Sequence, residues 1–123
     1  MLPFTRKDIK MFNEEVKHTN RGFRFYEFED RYGYNCTIQK SSLATEDAIW
    51  LGLESASPQV LHGDATKLGV KHDKTCGWVD FPIPAEVNLN TRMHLTQEQA
   101  RGLGKMLLHF ADSGELPNIP DII

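Results

Sequence analysis

The stretch FRFYEFEDRYGYNCTIQKSS, residues 23 to 42, decides the fold. FRFYEFED is dense in the aromatic residues that suit a pleated, half-buried surface. DRYG supplies a turn, and YNCTIQKSS fits a second strand, so the three pieces together predict an antiparallel hairpin. Working outward, AIWLGLE at 48 to 54 reads as a third strand, buried on at least one side, which stops at SASPQ where Ser57 and Pro58 disfavour continuation. Upstream, Thr5 and Asp8 stand as a capping box. Ile9, Phe12 and Val16 then recur at helical spacing, predicting a short amphipathic helix over roughly residues 6 to 17 that HTNRG ends.

Downstream, QVLHGDATKLGVKHDKTC at 59 to 76 mixes glycines, charges and histidines without sustained periodicity, as a long loop with one helical turn would. GWVDFPIP adds a short strand whose Pro82 and Pro84 cannot donate to a ladder, which places it at a sheet edge or on an exposed crossing. VNLNTRMHL, residues 87 to 95, alternates as a last strand. Thr96 and Gln99 form a second capping box. They open a helix whose Ala100, Leu103, Met106, Leu107, Phe110 and Ala111 share one face, and which stops near Gly114. The expectation is a single α+β domain over residues 1–123: an antiparallel sheet of about five strands with an N-terminal helix and a C-terminal amphipathic helix. Gly102 and Gly104 each cost that helix about 1 kcal/mol relative to Ala. The cost is easier to understand if the backbone there approaches another helix or a partner subunit, and the apolar tail ELPNIPDII also calls for a cover.

Composition narrows the function. A chain of 123 residues, 40% apolar and 10% aromatic, is long enough for a core of its own. Its 14 Lys plus Arg against 17 Asp plus Glu give a net charge of -3, which argues against broad nucleic-acid binding and against duplex partners. A local pocket for one small anion needs only a few converging arginines. No window offers the apolar run of about 20 residues that a membrane span requires, and MLPFTRKDIK has no secretory leader pattern, so the expected location is the cytoplasm. Cys36 and Cys76 read as two free thiols with at least one buried, and His18, His62, His72, His94 and His109 are too scattered for a metal site. No metal and no cofactor are expected.

The residues that draw attention lie in VNLNTRMHL. Extended backbone would put Asn88, Asn90, Arg92 and His94 on one face, with Val87, Leu89, Thr91, Met93 and Leu95 on the other. One reading is simply the wet face of an amphipathic strand. The other is a recognition face: two amides for a base edge or ribose hydroxyl, a guanidinium for phosphate or stacking, and no carboxylate. The helix that begins at once would aim its free N–H groups at the same place, within reach of Arg101. Trp78 and Phe81 precede the row and offer flat platforms for a purine, whereas Trp50 reads as core. Arg21 and Arg24 bracket a glycine as either a solvated edge or a second basic site, and the pairs Glu14/Glu15 and Glu27/Glu29 read as solvated surface. Signatures of hydrolases, phosphate-binding loops, metalloproteases and two-histidine phosphodiesterases are missing, and His94 has no evident catalytic partner. Binding without catalysis is therefore expected.

The blocks RGFRFYEFEDRYG, CTIQKSS, IWLG, TRMHLTQEQ and FADSGEL resemble the first described class of phage Thoeris anti-defence proteins, over a span from Arg21 to Leu116 that leaves out the N-terminal helix. The resemblance implies an α+β homo-oligomer, at least dimeric and in some members hexameric. Its subunits would sequester cyclic ADP-ribose isomers made by TIR-domain enzymes without cleaving them, and some members also bind cyclic oligonucleotides at a separate site. On this chain it implies adenine-stacking and phosphate roles for Phe81, Asn90, Arg92 and Arg101, and an oligonucleotide role for Arg24. The alternative is a small phage inhibitor that blocks a host defence complex by direct protein contact, for which the acidic balance and exposed aromatics speak.

Overall fold

A computed structural model describes residues 4–12 and 16–123. The hairpin forms as expected: β2 (Arg24–Glu29) and β3 (Asn35–Lys40) run antiparallel with Phe25 opposite Gln39 and Phe28 opposite Cys36. Asp30 builds the turn between them, because its carboxylate accepts from the N–H groups of Tyr32 and Tyr34 at 2.9 and 3.0 Å. Gly33 takes the positive φ of 84° that closes the turn. β4 (Ala48–Leu53) pairs with β3, and β7 (Met93–Thr96) pairs with β4. On the other side β1 (Lys17–His18) pairs with β2, giving a five-stranded antiparallel sheet in the order β1-β2-β3-β4-β7. The chain is α+β.

The membership of that sheet differs from the sequence reading in two ways. The segment at Lys17 is a strand, and the N-terminal helix α1 is a single turn, Arg6–Ile9, although its Thr5/Asp8 capping box forms in full. The expected helical stretch at 13 to 15, with Glu14 and Glu15, lies outside the described residues. GWVDF does not join the large sheet either. β6 (Trp78–Asp80) pairs with β5 (Gln59–Leu61) in a separate two-stranded sheet, and α2 (His62–Lys67) packs on it through the buried Ala65. The region read as a long loop with one helical turn thus holds a strand as well, and the turn is the short helix α2. Its remainder is pinned by His72, whose Nδ1 accepts from the Lys74 N–H and whose Nε2 lies 3.0 Å from the Thr66 hydroxyl.

Strand alternation gives the large sheet two unlike faces. One carries Tyr26, Phe28, Cys36, Ile38, Ile49, Leu51, Leu53 and Leu95. Phe12 packs on it edge-on to Phe28 and Tyr26 with ring centres 5.4 and 6.2 Å away, contacts worth about 0.5–1.5 kcal/mol each beyond area burial. The other face carries Phe25, Glu27, Thr37, Gln39, Ser41, Ala48, Trp50, Gly52 and His94, a mixture of polar and aromatic groups.

The C-terminal helix α3 (Gln97–Ser113) has the predicted ends, a Thr96/Gln99 capping box and a left-handed Gly114. Its first turns pack beside β7 and β4, but no residue of the helix is buried, and Leu107 and Phe110 are 55% and 51% exposed. Apart from the helix's own backbone and the adjoining residues, nothing among the described residues lies within 4 Å of where a Cβ would stand on Gly102 or Gly104, so the close approach expected there is not made by them. The tail, with α4 (Ile119–Ile122), leaves Leu116, Ile119, Ile122 and Ile123 exposed as well.

Candidate functional site

The polar row at 88 to 94 is not one strand. Only Met93–Thr96 joins the ladder, because the side chains of Asn88 and Asn90 bond to nearby backbone and compete with it. The Asn88 side-chain oxygen accepts from both the N–H and the side-chain amide of Asn90, at 3.0 and 2.9 Å. The Asn90 oxygen in turn accepts from the Arg92 N–H at 3.4 Å. The asparagines therefore shape the loop that delivers Arg92 rather than form a binding face with it. The loop is tied to the end of β4 by the Thr91 N–H donating to the Leu53 carbonyl at 3.1 Å, and by the Ala56 N–H donating to the Leu89 carbonyl at 2.7 Å.

Gly52 makes the delivery possible. A Cβ there would stand 2.7 Å from both the Arg92 Cα and the Thr91 carbonyl oxygen, so any side chain would displace the crossing backbone. From this crossing the Arg92 side chain reaches over β4 to β3. Its Nη1 donates to Gln39 Oε1 at 3.2 Å, and its guanidinium carbon lies 5.3 Å from the centre of the Trp50 ring. Among the described residues no carboxylate comes within salt-bridge distance of Arg92, and its buried Nε has no partner. Glu27, on the same sheet face, is ion-paired with Lys17 at 3.2 Å, and Asp47 with Lys40 at 2.6 Å.

His94 sits directly opposite Trp50, and the two rings stack in parallel, 3.7 Å between centres and 4° between planes. Its Nε2 lies 2.9 Å from the Ser41 hydroxyl, a distance a histidine-activated nucleophile would also show. Ser41 is only 2% exposed, however, and its oxygen also accepts from the Leu43 N–H, so a substrate could not approach it. The pair orients the imidazole on the indole. Together Trp50, Arg92, His94 and Gln39 form an aromatic and cationic cluster in which His94 already covers one face of the indole, so a flat base would stack on the outer side of the imidazole with a phosphate on Arg92.

No protein-family model, curated protein or solved structure matches this chain.

Of the sequence-predicted residues, the structure brings Arg92 and His94 together, with Asn88 and Asn90 behind them. Among the described residues, no side-chain hydrogen bond, ion pair or ring contact joins the others to that cluster. Phe81 follows the small sheet and is anchored by its N–H on the Pro58 carbonyl at 3.0 Å; no ring contact joins it to Trp50 or Arg92 among the described residues. Trp78 is 55% exposed on the small sheet, opposite Leu61. Arg24 is exposed beside His18 and alternates onto the opposite sheet face, while Arg101 is exposed on α3. Trp50, read as core, is half-buried and is the platform. Gln39 and Ser41 were missed too. Alternation in CTIQKSS, which sets Thr37, Gln39 and Ser41 on one face, is the signal that could have found them.

Two clefts lined by described residues lie elsewhere. One, of about 570 Å³, is lined by Met11, Phe12, Phe28, Asn35 and the carboxylates of Glu27, Glu29 and Asp30, which suits no anion. The other, of about 360 Å³ and largely apolar, runs between the first turn of α3 and the β4/β7 edge. Neither cleft is lined by Trp50, Arg92 or His94; the half-buried Trp50 and the exposed His94 form one wall of a site.

Proposed function

We propose that this protein binds and sequesters a cyclic ADP-ribose-type nucleotide signal without cleaving it, acting as a phage anti-defence protein in the cytoplasm of the infected cell. The observation that carries the reading is the Arg92 guanidinium held over Trp50 beside the stacked His94. Such ligands combine a purine with a pyrophosphate, and this face offers an aromatic surface and an unneutralised cation within one side chain's reach of each other. The Asn88/Asn90 loop and Ser41 hold the two functional side chains, and the Ser41 hydroxyl beside His94 is buried.

An open wall holds a small ligand weakly, because tight sites cover most of the ligand surface. A second copy of the chain supplies the cover in this reading, and the exposed apolar side of α3 and the tail are where copies would meet. Phe81, Trp78, Arg101 and Arg24, which lie apart from Arg92 in one chain, would then contribute from a neighbouring subunit or at a separate oligonucleotide site.

The test is direct. Purified protein is incubated with cyclic ADP-ribose isomers, freed of excess, and heated. Recovery of intact ligand in proportion to protein is expected. Recovery of a hydrolysed product, or no depletion of the signal, would overturn the reading.

A further inference from the structure

Arginine side chains that cross a sheet face are ordinarily anchored by a carboxylate, which holds the guanidinium in a two-pronged pair and cancels its charge. Here the anchor is an amide. Gln39, directly opposite Trp50 in the sheet register, accepts from Arg92 Nη1 at 3.2 Å through Oε1. The neighbouring carboxylate on that face, Glu27, is held by Lys17 instead, and among the described residues none reaches Arg92. Gly52 lets the Arg92 backbone cross β4, and the Asn90 oxygen caps its N–H, so the side chain starts from a fixed point and ends on a fixed point. What remains free is its charge, together with the guanidinium donors other than the Gln39-bound one and the buried Nε.

We propose that Gln39 is a positioning residue that pins the Arg92 guanidinium across Trp50 while leaving its charge for a pyrophosphate-class anion. The proposal rests on the nucleotide reading above and specifies the part of the ligand that Arg92 meets. A carboxylate at position 39 would hold the arginine more firmly and bind the anion worse. A neutral side chain without an acceptor would release the arginine but keep its charge. The two substitutions therefore separate holding from charge.

Full-length wild type, Gln39→Glu and Gln39→Met are titrated with inorganic pyrophosphate, ADP-ribose and adenosine by calorimetry, and their thermal unfolding is recorded. Gln39→Glu is expected to lose pyrophosphate and ADP-ribose affinity by about tenfold or more, the worth of one charge-assisted contact, while unfolding no earlier than wild type. Gln39→Met loses less for the same two probes, and adenosine, which carries no charge, binds all three alike. Pyrophosphate binding by Gln39→Glu at wild-type strength, equal losses in both variants, or a parallel loss of adenosine would overturn the proposal. A wild type that binds neither pyrophosphate nor ADP-ribose would also overturn it. If wild type leaves cyclic ADP-ribose undepleted but binds pyrophosphate in a Gln39-dependent way, the sequestration reading falls and the role of Gln39 stands.

Discussion

Arg92 concentrates the chemistry of this protein in one side chain, and its replacement is the sharpest test at the scale of residues. Arg92→Ala removes the cation and its hold on Gln39, and is expected to weaken nucleotide capture by more than about 2 kcal/mol in a folded protein. Unchanged capture would remove Arg92 from the site. The two thiols behave differently from each other for a plain reason. Burial, and then the nearby Asp30 charge, push the Cys36 thiol up, so it stays protonated, while Cys76 is exposed. Brief treatment with iodoacetamide should therefore modify Cys76 and spare Cys36, read by peptide mass spectrometry. The acid side of the stability profile follows from two carboxyls. Hydrogen bonds from the Thr5 backbone and hydroxyl lower Asp8, and the Lys40 ammonium lowers Asp47. Their folded values lie below their unfolded ones, so the stability they add is present above the ordinary carboxylate range and is lost as pH falls through the lowered values. Both are exposed, so the effect is small. Lys40→Met should flatten the fall in melting temperature below pH 4, roughly the unfolded Asp value.

At the scale of elements the decisive contact is the crossing of residues 91 and 92 over β4. Gly52→Ala sets a methyl group 2.7 Å from backbone that is itself hydrogen-bonded, and no flexible side chain is there to yield. The expected cost is about 1–3 kcal/mol of stability, as for overpacking, with loss of ligand capture beyond it because Arg92 is moved off Trp50. Denaturant unfolding and calorimetry read the two effects separately. The same elements explain what could be read in advance. The hairpin and the third strand were legible because aromatic density, a DRYG turn and the SASPQ stop agree, and α3 was legible because both its ends carry capping chemistry. β1 was not, being two residues long and placed by its pairing with Arg24 and Phe25 and by the Lys17–Glu27 ion pair. The alternation at 87 to 92 misled, since asparagine at every second position satisfies local backbone as readily as it lines a strand. Trp50 was hidden in AIWLGL, where both faces are apolar and nothing in the string marks which one meets solvent.

At the scale of the molecule, two surfaces are incomplete. The site is an open wall, and α3 with the tail exposes Leu107, Leu108, Phe110, Leu116, Ile119, Ile122 and Ile123 on a chain of net charge -3. So many large apolar side chains near one end of the chain exceed the scattered exposure usual on a monomer, and burying the half-exposed ones in an interface would recover about half of the roughly 1.5–3 kcal/mol that full burial of each is worth. One association would answer both deficits. The double variant Leu107→Glu, Phe110→Glu places two charges on that face without touching Trp50, Arg92, His94 or Gln39. Native mass spectrometry should find the wild type as a dimer or larger assembly and the variant as a monomer. If copies meet there to enclose the ligand, the variant should bind ADP-ribose at least tenfold more weakly, a loss of about 1.4 kcal/mol, with its circular dichroism unchanged. A monomeric variant that binds as tightly as wild type would mean that one chain's wall suffices. A wild type that is itself monomeric at working concentration would leave the apolar face to some other partner and remove the second copy from the mechanism.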